Sequence, residues 1–200
     1  MVKTARMLQE ELSSYGDPKN KMRRLVRDGT LVRVTKGLYE TDATTPPQLL
    51  AASICGPSYI SFEYALAYYG MIPEAVPTVT SATFEKGRVK RYETPFGTFT
   101  FHDVPSAAFP AGIVTAVDEG RAFRIATPEK ALCDMLWLRP PVSTYRDLAD
   151  LLFADLRLEP EAVDSMNAED IATLAELYRS TTIRKFAKYL KRRQRYAATA

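Results

Sequence analysis

A change of pattern over residues 77–125 constrains the fold more than any other feature of the sequence. Here the helical spacing of apolar residues gives way to short runs rich in β-branched and aromatic residues, separated by Gly and Pro. The runs are Val79-Thr80, Val89 to Tyr92, Phe99 to Phe101, Ile113 to Ala116 and Phe123 to Ile125. Because helical patterns lie on both sides, the sequence predicts an α+β fold whose larger, mixed α/β part has a central antiparallel or mixed sheet.

Helices are expected before and after this sheet. The clearest begins with Thr127 as N-cap and Pro128 at its first position, and Pro140-Pro141 ends it. Ser61 and Asn167 are expected to cap two others. The remaining helical patterns cover residues 46–55, 61–69, 145–154, 167–179 and 182–194.

The first forty residues predict a small unit of two helices followed by a β-hairpin. The first helix spans Thr4 to Tyr15, and the second spans residues 18–28, with Asp17 as N-cap and Gly29 at its left-handed end. Two strand-like runs follow, Leu31 to Val34 and Leu38 to Glu40, joined by a turn that contains Gly37. This order is that of a winged helix, although a full version usually has three helices before the wing. Either the first helix folds as two pieces or the module is abbreviated.

A Thr-Thr-Pro-Pro run at residues 44–47 interrupts the pattern and predicts a short hinge. We therefore expect two domains. Residues 1–45 would form a winged helix-turn-helix DNA-binding domain, and residues 46–200 would form a larger second domain.

The second predicted helix has one apolar and one cationic face. Met22, Leu25 and Val26 lie on one side of a helical wheel, opposite a set of polar and cationic residues. A major groove accepts one α-helix, and Arg and Asn can pair with the edges of guanine and adenine. The expected DNA-binding residues are Lys19, Asn20, Arg23, Arg24 and Arg27 on the helix and Arg33 and Lys36 on the wing. The alternative is a basic helical hairpin that packs on another protein.

Charge is distributed unevenly along the chain. Residues 1–40 carry nine Lys and Arg against five Asp and Glu, residues 180–200 carry seven against none, and residues 41–179 carry 11 against 19. Basic ends on an acidic middle indicate contact with nucleic acid. The last helix offers a second basic surface that would follow phosphates, bind an acidic partner or contact another polyanion such as RNA. Its residues are Arg184, Lys185, Lys188, Lys191 and Arg192.

The remaining composition favours an intracellular protein without a cofactor. The two cysteines, Cys55 and Cys133, lie in apolar stretches and are expected to be buried free thiols. No stretch approaches the roughly 20 apolar residues that cross a bilayer, so we expect a cytoplasmic protein that does not contact a membrane.

Little in the sequence suggests an enzyme. It contains no P-loop, no dinucleotide-binding glycine motif, no Cys-x-x-Cys pair and a single histidine, His102. No catalytic or metal-binding residue is therefore assigned. One alternative is a metal-dependent nuclease, and the other is an interaction module that does not bind DNA. The carboxylates that would serve a nuclease are Asp103, Asp118, Glu119, Glu129 and Asp134, although none has a convincing metal-binding spacing.

Three runs of the sequence resemble the AbiEi family of antitoxins. The run LVRDGTLVRVTKGLY at residues 25–39 is similar to the end of the winged-helix domain of that family. PSYISFEYALAYYG at residues 57–70 and RIATPEKALCD at residues 124–134 resemble two later blocks, in the same order and at similar spacing. The resemblance covers roughly residues 20–140.

The resemblance implies the antitoxin of a type IV toxin–antitoxin system that acts in abortive phage infection. Such a protein represses its own operon by binding promoter DNA through its N-terminal domain. The larger domain opposes a nucleotidyltransferase-like toxin without forming a stable complex with it. Within the TPEKA run, we expect Glu129 to favour the amino end of a helix and Ala131, Leu132 and Met135 to face the core, a structural role rather than a functional contact.

Overall fold

The computed structural model describes residues 1–197, which form a mixed α+β structure with two sheets. The strands are β1 (Val2–Thr4), β2 (Val32–Thr35), β3 (Leu38–Glu40), β4 (Tyr59–Ile60), β5 (Val79–Thr83), β6 (Lys90–Thr94), β7 (Gly97–Asp103), β8 (Ile113–Asp118) and β9 (Arg121–Ala126). The helices are α1 (Ala5–Glu11), α2 (Pro18–Arg27), α3 (Ala51–Ile54), α4 (Phe62–Tyr68), α5 (Pro128–Trp137), α6 (Tyr145–Ala149), α7 (Pro160–Asp164), α8 (Ala168–Tyr178) and α9 (Thr181–Ala197).

The larger sheet has six strands in the order β6-β7-β5-β4-β9-β8. β5 runs parallel to β7 and β4 runs parallel to β9, whereas the other neighbours are antiparallel. The sheet is therefore mixed, which confirms the prediction. All five predicted strand regions are present. β4 has only two residues and was not predicted, because so short a run carries no periodic signal.

The smaller sheet belongs to the N-terminal unit, residues 1–45, and has the order β1-β3-β2. β1 was not predicted, and α1 is shorter than expected at both ends: Thr4 is its N-cap and accepts a hydrogen bond from the Met7 N–H at 3.2 Å, and the helix ends at Glu11 instead of Tyr15. The second helix agrees with its prediction, since the Asp17 carboxylate accepts from the Asn20 N–H at 3.0 Å. The hairpin also agrees, with Gly37 at φ +82° in its turn.

The hairpin packs on both of its faces. Tyr39 lies on one face and packs with Leu8 and Leu31 in a small cluster under α1 and α2. Val34 and Leu38 lie on the other face and belong to the large core of the remaining chain. The smaller sheet is thus held between the N-terminal helices and the larger part of the protein.

The helices after the hairpin follow the predicted pattern, except that the helix expected over residues 46–55 is a 3-10 turn, Pro47–Leu49, followed by the four-residue α3. A π-helical segment, Asp150–Asp155, continues α6, and α7 was not predicted. Ser61 stands at the N-cap position of α4, but its hydroxyl makes no cap bond and instead donates to Asp134. Cys55 and Cys133 are buried free thiols, as expected. Among residues 1–197 no helix has both the length and the apolar character needed to span a bilayer.

Candidate nucleic-acid interface

Half-buried apolar residues anchor α2 to the N-terminal unit. Met22, Leu25 and Val26 pack against the small cluster formed by Leu8, Leu31 and Tyr39. The main-chain N–H of Leu31 also bonds to the carbonyl of Leu25 at 3.1 Å, which ties the start of the hairpin to the end of α2. These contacts fix which side of α2 faces the protein. The opposite side of the helix is consequently presented to solvent.

The α2 basic face consists of Lys19, Asn20, Arg23, Arg24 and Arg27, and all five side chains are exposed. The ten residues of α2 carry five cations and no acid. Arg27 is paired with Asp28 at 3.3 Å, but the Arg27 side chain remains 73% exposed, so this surface pair contributes little and can exchange for another anion. The residues that the sequence assigned to DNA binding therefore lie together on one solvent-facing side of the helix.

The two predicted wing residues are also exposed. Arg33 lies on β2, and Lys36 lies in the turn between β2 and β3. The Arg33 Nε donates to the carbonyl of Thr35 at 3.4 Å, a long contact within the hairpin. The N-terminal unit thus offers cations from the helix and from the hairpin.

Lys21 was not included in the predicted set. It is half-buried on α2, and its ammonium lies 4.9 Å from the centre of the Tyr15 ring in the loop before the helix. Tyr15 is itself 48% exposed. This pair extends the cationic surface past the start of α2, and the only sequence signal for it was an aromatic residue next to a basic helix.

The second basic surface on α9 makes many contacts within the protein. Arg184 pairs with Glu176 at 3.3 Å, and Lys191 pairs with Glu169 at 2.7 Å. Lys185 donates to two main-chain carbonyls at 2.5 and 2.8 Å, and the Arg192 guanidinium lies 5.4 Å from the Tyr145 ring. Lys188 is exposed. Most of these cations therefore help to hold α9 in place, unlike those of the α2 basic face.

The most distinctive polar feature of the interior is a buried network around Asp134. Lys130 and Asp134, four residues apart on α5, are both fully buried and form an ion pair of 3.1 Å. Tyr59 and Ser61 donate to the same carboxylate at 3.0 and 2.5 Å, and Tyr178 of α8 also donates to it. Sequence analysis did not find this network, because Lys and Asp are expected on surfaces.

Burial controls the protonation of the hydroxyls in this network. It raises the pKa of Tyr59 and of Tyr178 above the usual range, and the nearby Asp134 carboxylate raises both further. Burial also lowers the pKa of Lys130, while the Asp134 charge opposes that change. Both tyrosines are therefore held as neutral hydrogen-bond donors. Since all members are out of contact with solvent, the network serves to join β4, α5 and α8.

The carboxylates considered for a nuclease do not come together. The Asp103 carboxylate accepts from the main-chain N–H groups of Lys86 and Gly87 at 2.8 and 2.7 Å, and Glu129 accepts from the Asn167 N–H at 3.0 Å. Asp134 is committed to its buried network. In residues 1–197 no group of three or more His, Cys, Asp or Glu side chains is placed to hold a metal ion.

His102 contacts the Phe62 ring edge to face at 5.3 Å between ring centres. Burial lowers the pKa of this histidine, and the charge of Glu63 opposes the effect in part. The position of His102 is explained by packing.

No family model matches the chain, and no curated protein matches it. The run at residues 57–70 meets the run at residues 124–134 in space, because Tyr59 and Ser61 donate hydrogen bonds to Asp134. The TPEKA run begins α5 with Thr127 as its cap and places Ala131, Leu132 and Met135 in the core, as expected for a structural role.

Proposed function

We propose that this chain is a DNA-binding transcriptional repressor of its own operon and the antitoxin of a type IV toxin–antitoxin pair. In this proposal the N-terminal unit acts as an abbreviated winged helix, with α2 as its recognition helix and the β2–β3 hairpin as its wing. The larger part of the chain opposes a nucleotidyltransferase-like toxin without forming a stable complex with it.

The observation that carries the DNA-binding part is the orientation of α2. Its apolar side is packed on Leu8, Leu31 and Tyr39, and its basic face is exposed. At about 1.5 Å per residue, its ten residues give a rod of roughly 15 Å. The major groove is about 12 Å wide and admits such a helix. Arg23, Arg24 and Arg27 would then reach base edges or phosphates, and Asn20 could pair with adenine.

The hairpin adds a second point of contact. Arg33 and Lys36 are exposed on the β2–β3 hairpin, whose first residue is tied to the end of α2. Cations that bind phosphates beside the groove would set the register of the helix without reading sequence. The acidic middle of the chain favours the same orientation, because it repels the DNA backbone from other surfaces.

The antitoxin part has different support. It rests on the three runs that resemble AbiEi antitoxins, in their order and spacing, over roughly residues 20–140. Toxin relief and DNA binding would use different surfaces, since the α2 basic face is exposed away from the large core. The two activities should therefore be separable by substitutions.

Binding to the promoter of its own operon tests the DNA-binding part. We expect fluorescence anisotropy to show tight binding to that promoter and weaker binding to a scrambled duplex, with affinity falling steeply as salt rises. The combined change Arg23→Ala, Arg24→Ala and Arg27→Ala should weaken promoter binding by at least tenfold, since each base contact contributes about 1–3 kcal/mol.

A matched variant controls for net charge. Arg88→Ala, Arg91→Ala and Arg124→Ala remove the same three charges from exposed positions outside the N-terminal unit. This variant should keep promoter affinity within about threefold, because its cations lie off the proposed interface. Equal losses in the two variants would mean that the effect is one of net charge, and the assignment of α2 would be wrong.

Co-expression tests the antitoxin part. Growth of cells that carry the neighbouring toxin gene should recover when the full-length chain is supplied from an unrelated promoter. The α2 triple variant should rescue growth as well as the unchanged chain does, while it fails to repress a reporter placed behind its operon promoter. Failure of both proteins to rescue would refute the antitoxin role and leave the DNA-binding proposal standing.

A further inference from the structure

β8 lies at one end of the six-stranded sheet. All six of its residues pair with β9 in an unbroken antiparallel register, from Ile113 opposite Ala126 to Asp118 opposite Arg121. No other strand among residues 1–197 pairs with its outer edge. The outer edge of β8 therefore presents a row of unpaired main-chain groups, which can accept a further strand.

The turn between β8 and β9 shows which main-chain groups face outward. Glu119 and Gly120 have φ angles of +48° and +73°, as in a two-residue type I′ hairpin turn. In such a hairpin the residues that flank the turn exchange hydrogen bonds, and every second residue before them does the same. The bond from the Thr127 N–H to the Gly112 carbonyl, 2.8 Å long, continues this alternation. Consequently Ile113, Thr115 and Val117 point their N–H and C=O groups away from β9.

The side chains of β8 do not protect this edge. The strand has no proline and no charged residue before Asp118, and Val114 and Val117 are 42% and 66% exposed. The opposite edge strand, β6, carries Lys90, Arg91 and Glu93 and also lies against β2. Exposed edges usually carry charges or bulges that prevent pairing, so β8 is the unprotected one.

We infer that β8 is a dimerisation strand that pairs antiparallel with β8 of a second copy of this chain, about a two-fold axis at Thr115. A two-fold axis perpendicular to the sheet keeps each side chain on its own face, so residues an even number of positions apart can stand opposite one another. In this register Ile113 faces the partner's Val117, and Val114 faces the partner's Ala116. Every outward N–H and C=O group of Ile113, Thr115 and Val117 then gains a partner.

β8 is suited to pairing with its own copy, because the residues that would stand opposite one another near the axis carry no charge. A charge near the axis would face its own copy and repel it, whereas each of these cross-strand pairs is neutral and most are β-branched. A shift of the axis to Ala116 would place Val114 opposite Asp118 and leave fewer groups paired. The register at Thr115 is therefore the favoured one. This inference does not depend on the proposed function.

The mass of the full chain in solution tests the inference. Sedimentation equilibrium over a concentration series should show a monomer–dimer equilibrium. Thr115→Lys places two ammonium groups across the axis beside the exposed Arg124, and we expect it to weaken self-association by at least about tenfold. The same measurement on Val89→Lys is the control, because Val89 is 59% exposed in a loop outside β8 and should leave the dimer unchanged.

A cross-link tests the register directly. Opposed residues of a hydrogen-bonded pair lie about 5.5 Å apart at Cα, a separation that a disulfide can join. Thr115→Cys should therefore form a covalent dimer on mild oxidation, whereas Val89→Cys should not, and the native thiols are buried. A chain that stays monomeric and does not cross-link through Thr115→Cys would overturn the inference. A dimer that Thr115→Lys leaves intact would do the same, since its interface must then lie elsewhere.

Discussion

Replacement of Asp134 by Asn should destabilise the protein strongly. The change keeps the shape of the side chain but removes the counter-charge of the fully buried Lys130. It also disturbs the hydrogen bonds donated by Tyr59, Ser61 and Tyr178. Loss of one partner of a buried ion pair typically costs about 3–5 kcal/mol. Domains are stable by only about 5–15 kcal/mol, so this single change should remove a large share of the total.

The opposite replacement, Lys130→Met, should cost less. Asp134 keeps three hydroxyl donors in that variant, and the lost interaction is one charged hydrogen bond, worth about 1.5–3 kcal/mol. The double variant Lys130→Met with Asp134→Asn removes both charges together. The loss in free energy of unfolding should be well below the sum of the losses in the two single variants, because neither charge is left unpaired in the interior.

Urea unfolding followed by circular dichroism at neutral pH measures these differences, with the slope of the transition checked for each variant. Asp150→Asn is the matched control, since Asp150 is exposed and should change stability by less than about 0.5 kcal/mol. A cost of under about 1 kcal/mol for Asp134→Asn would show that the Lys130–Asp134 pair does not stabilise the interior as described. A double variant whose loss in free energy of unfolding equals the sum of the two single losses would show the same.

Three further predictions concern the cap of α2, the glycine before β8 and one partly exposed ion pair. Asp17→Ala removes the cap of α2 and should cost about 1 kcal/mol in urea unfolding, and it should weaken promoter binding because the helix frays at its first turn. Gly112→Ala should lower the melting temperature, since Gly112 has φ +66° and an added Cβ would lie 2.8 Å from the Cβ of Lys130; an unchanged melting temperature would contradict this. Hydrogen bonds from Arg193 hold the pKa of Asp164 below its usual range, so the stability they contribute is present above the ordinary pKa of an aspartate and is lost as the pH falls through the lowered pKa. Thermal melting of Arg193→Met should therefore differ from the unchanged chain at neutral pH and converge with it in acid.

The sequence predicts the local elements well where the signal is itself local. The cap at Asp17, the proline at the first turn of α2 and the glycine in the hairpin turn each fix a short stretch of backbone, and the structure has them where expected. β1 and β4 were missed because they have three and two residues and gain their strand geometry only from pairing with distant partners.

The buried network shows the limit of reading residues one at a time. The spacing of Lys130 and Asp134 indicates a helical ion pair, which is usually exposed. Only the fold brings Tyr59, Ser61 and Tyr178 to the same point. The hydrogen bonds from their hydroxyls offset the cost of burying the two charges. The residues of the α2 basic face were found from the sequence because a helical wheel is enough to separate them from the apolar side.

The hairpin of the N-terminal unit belongs to two hydrophobic interiors at once. A cut after residue 45 would expose Val34 and Leu38 on one piece and the surface they cover on the other, so neither piece should be expected to keep its shape alone. The solvent-facing side chains of α2 take part in neither interior. Exchange of those side chains alone should therefore alter what the surface recognises while leaving the architecture beneath it unchanged.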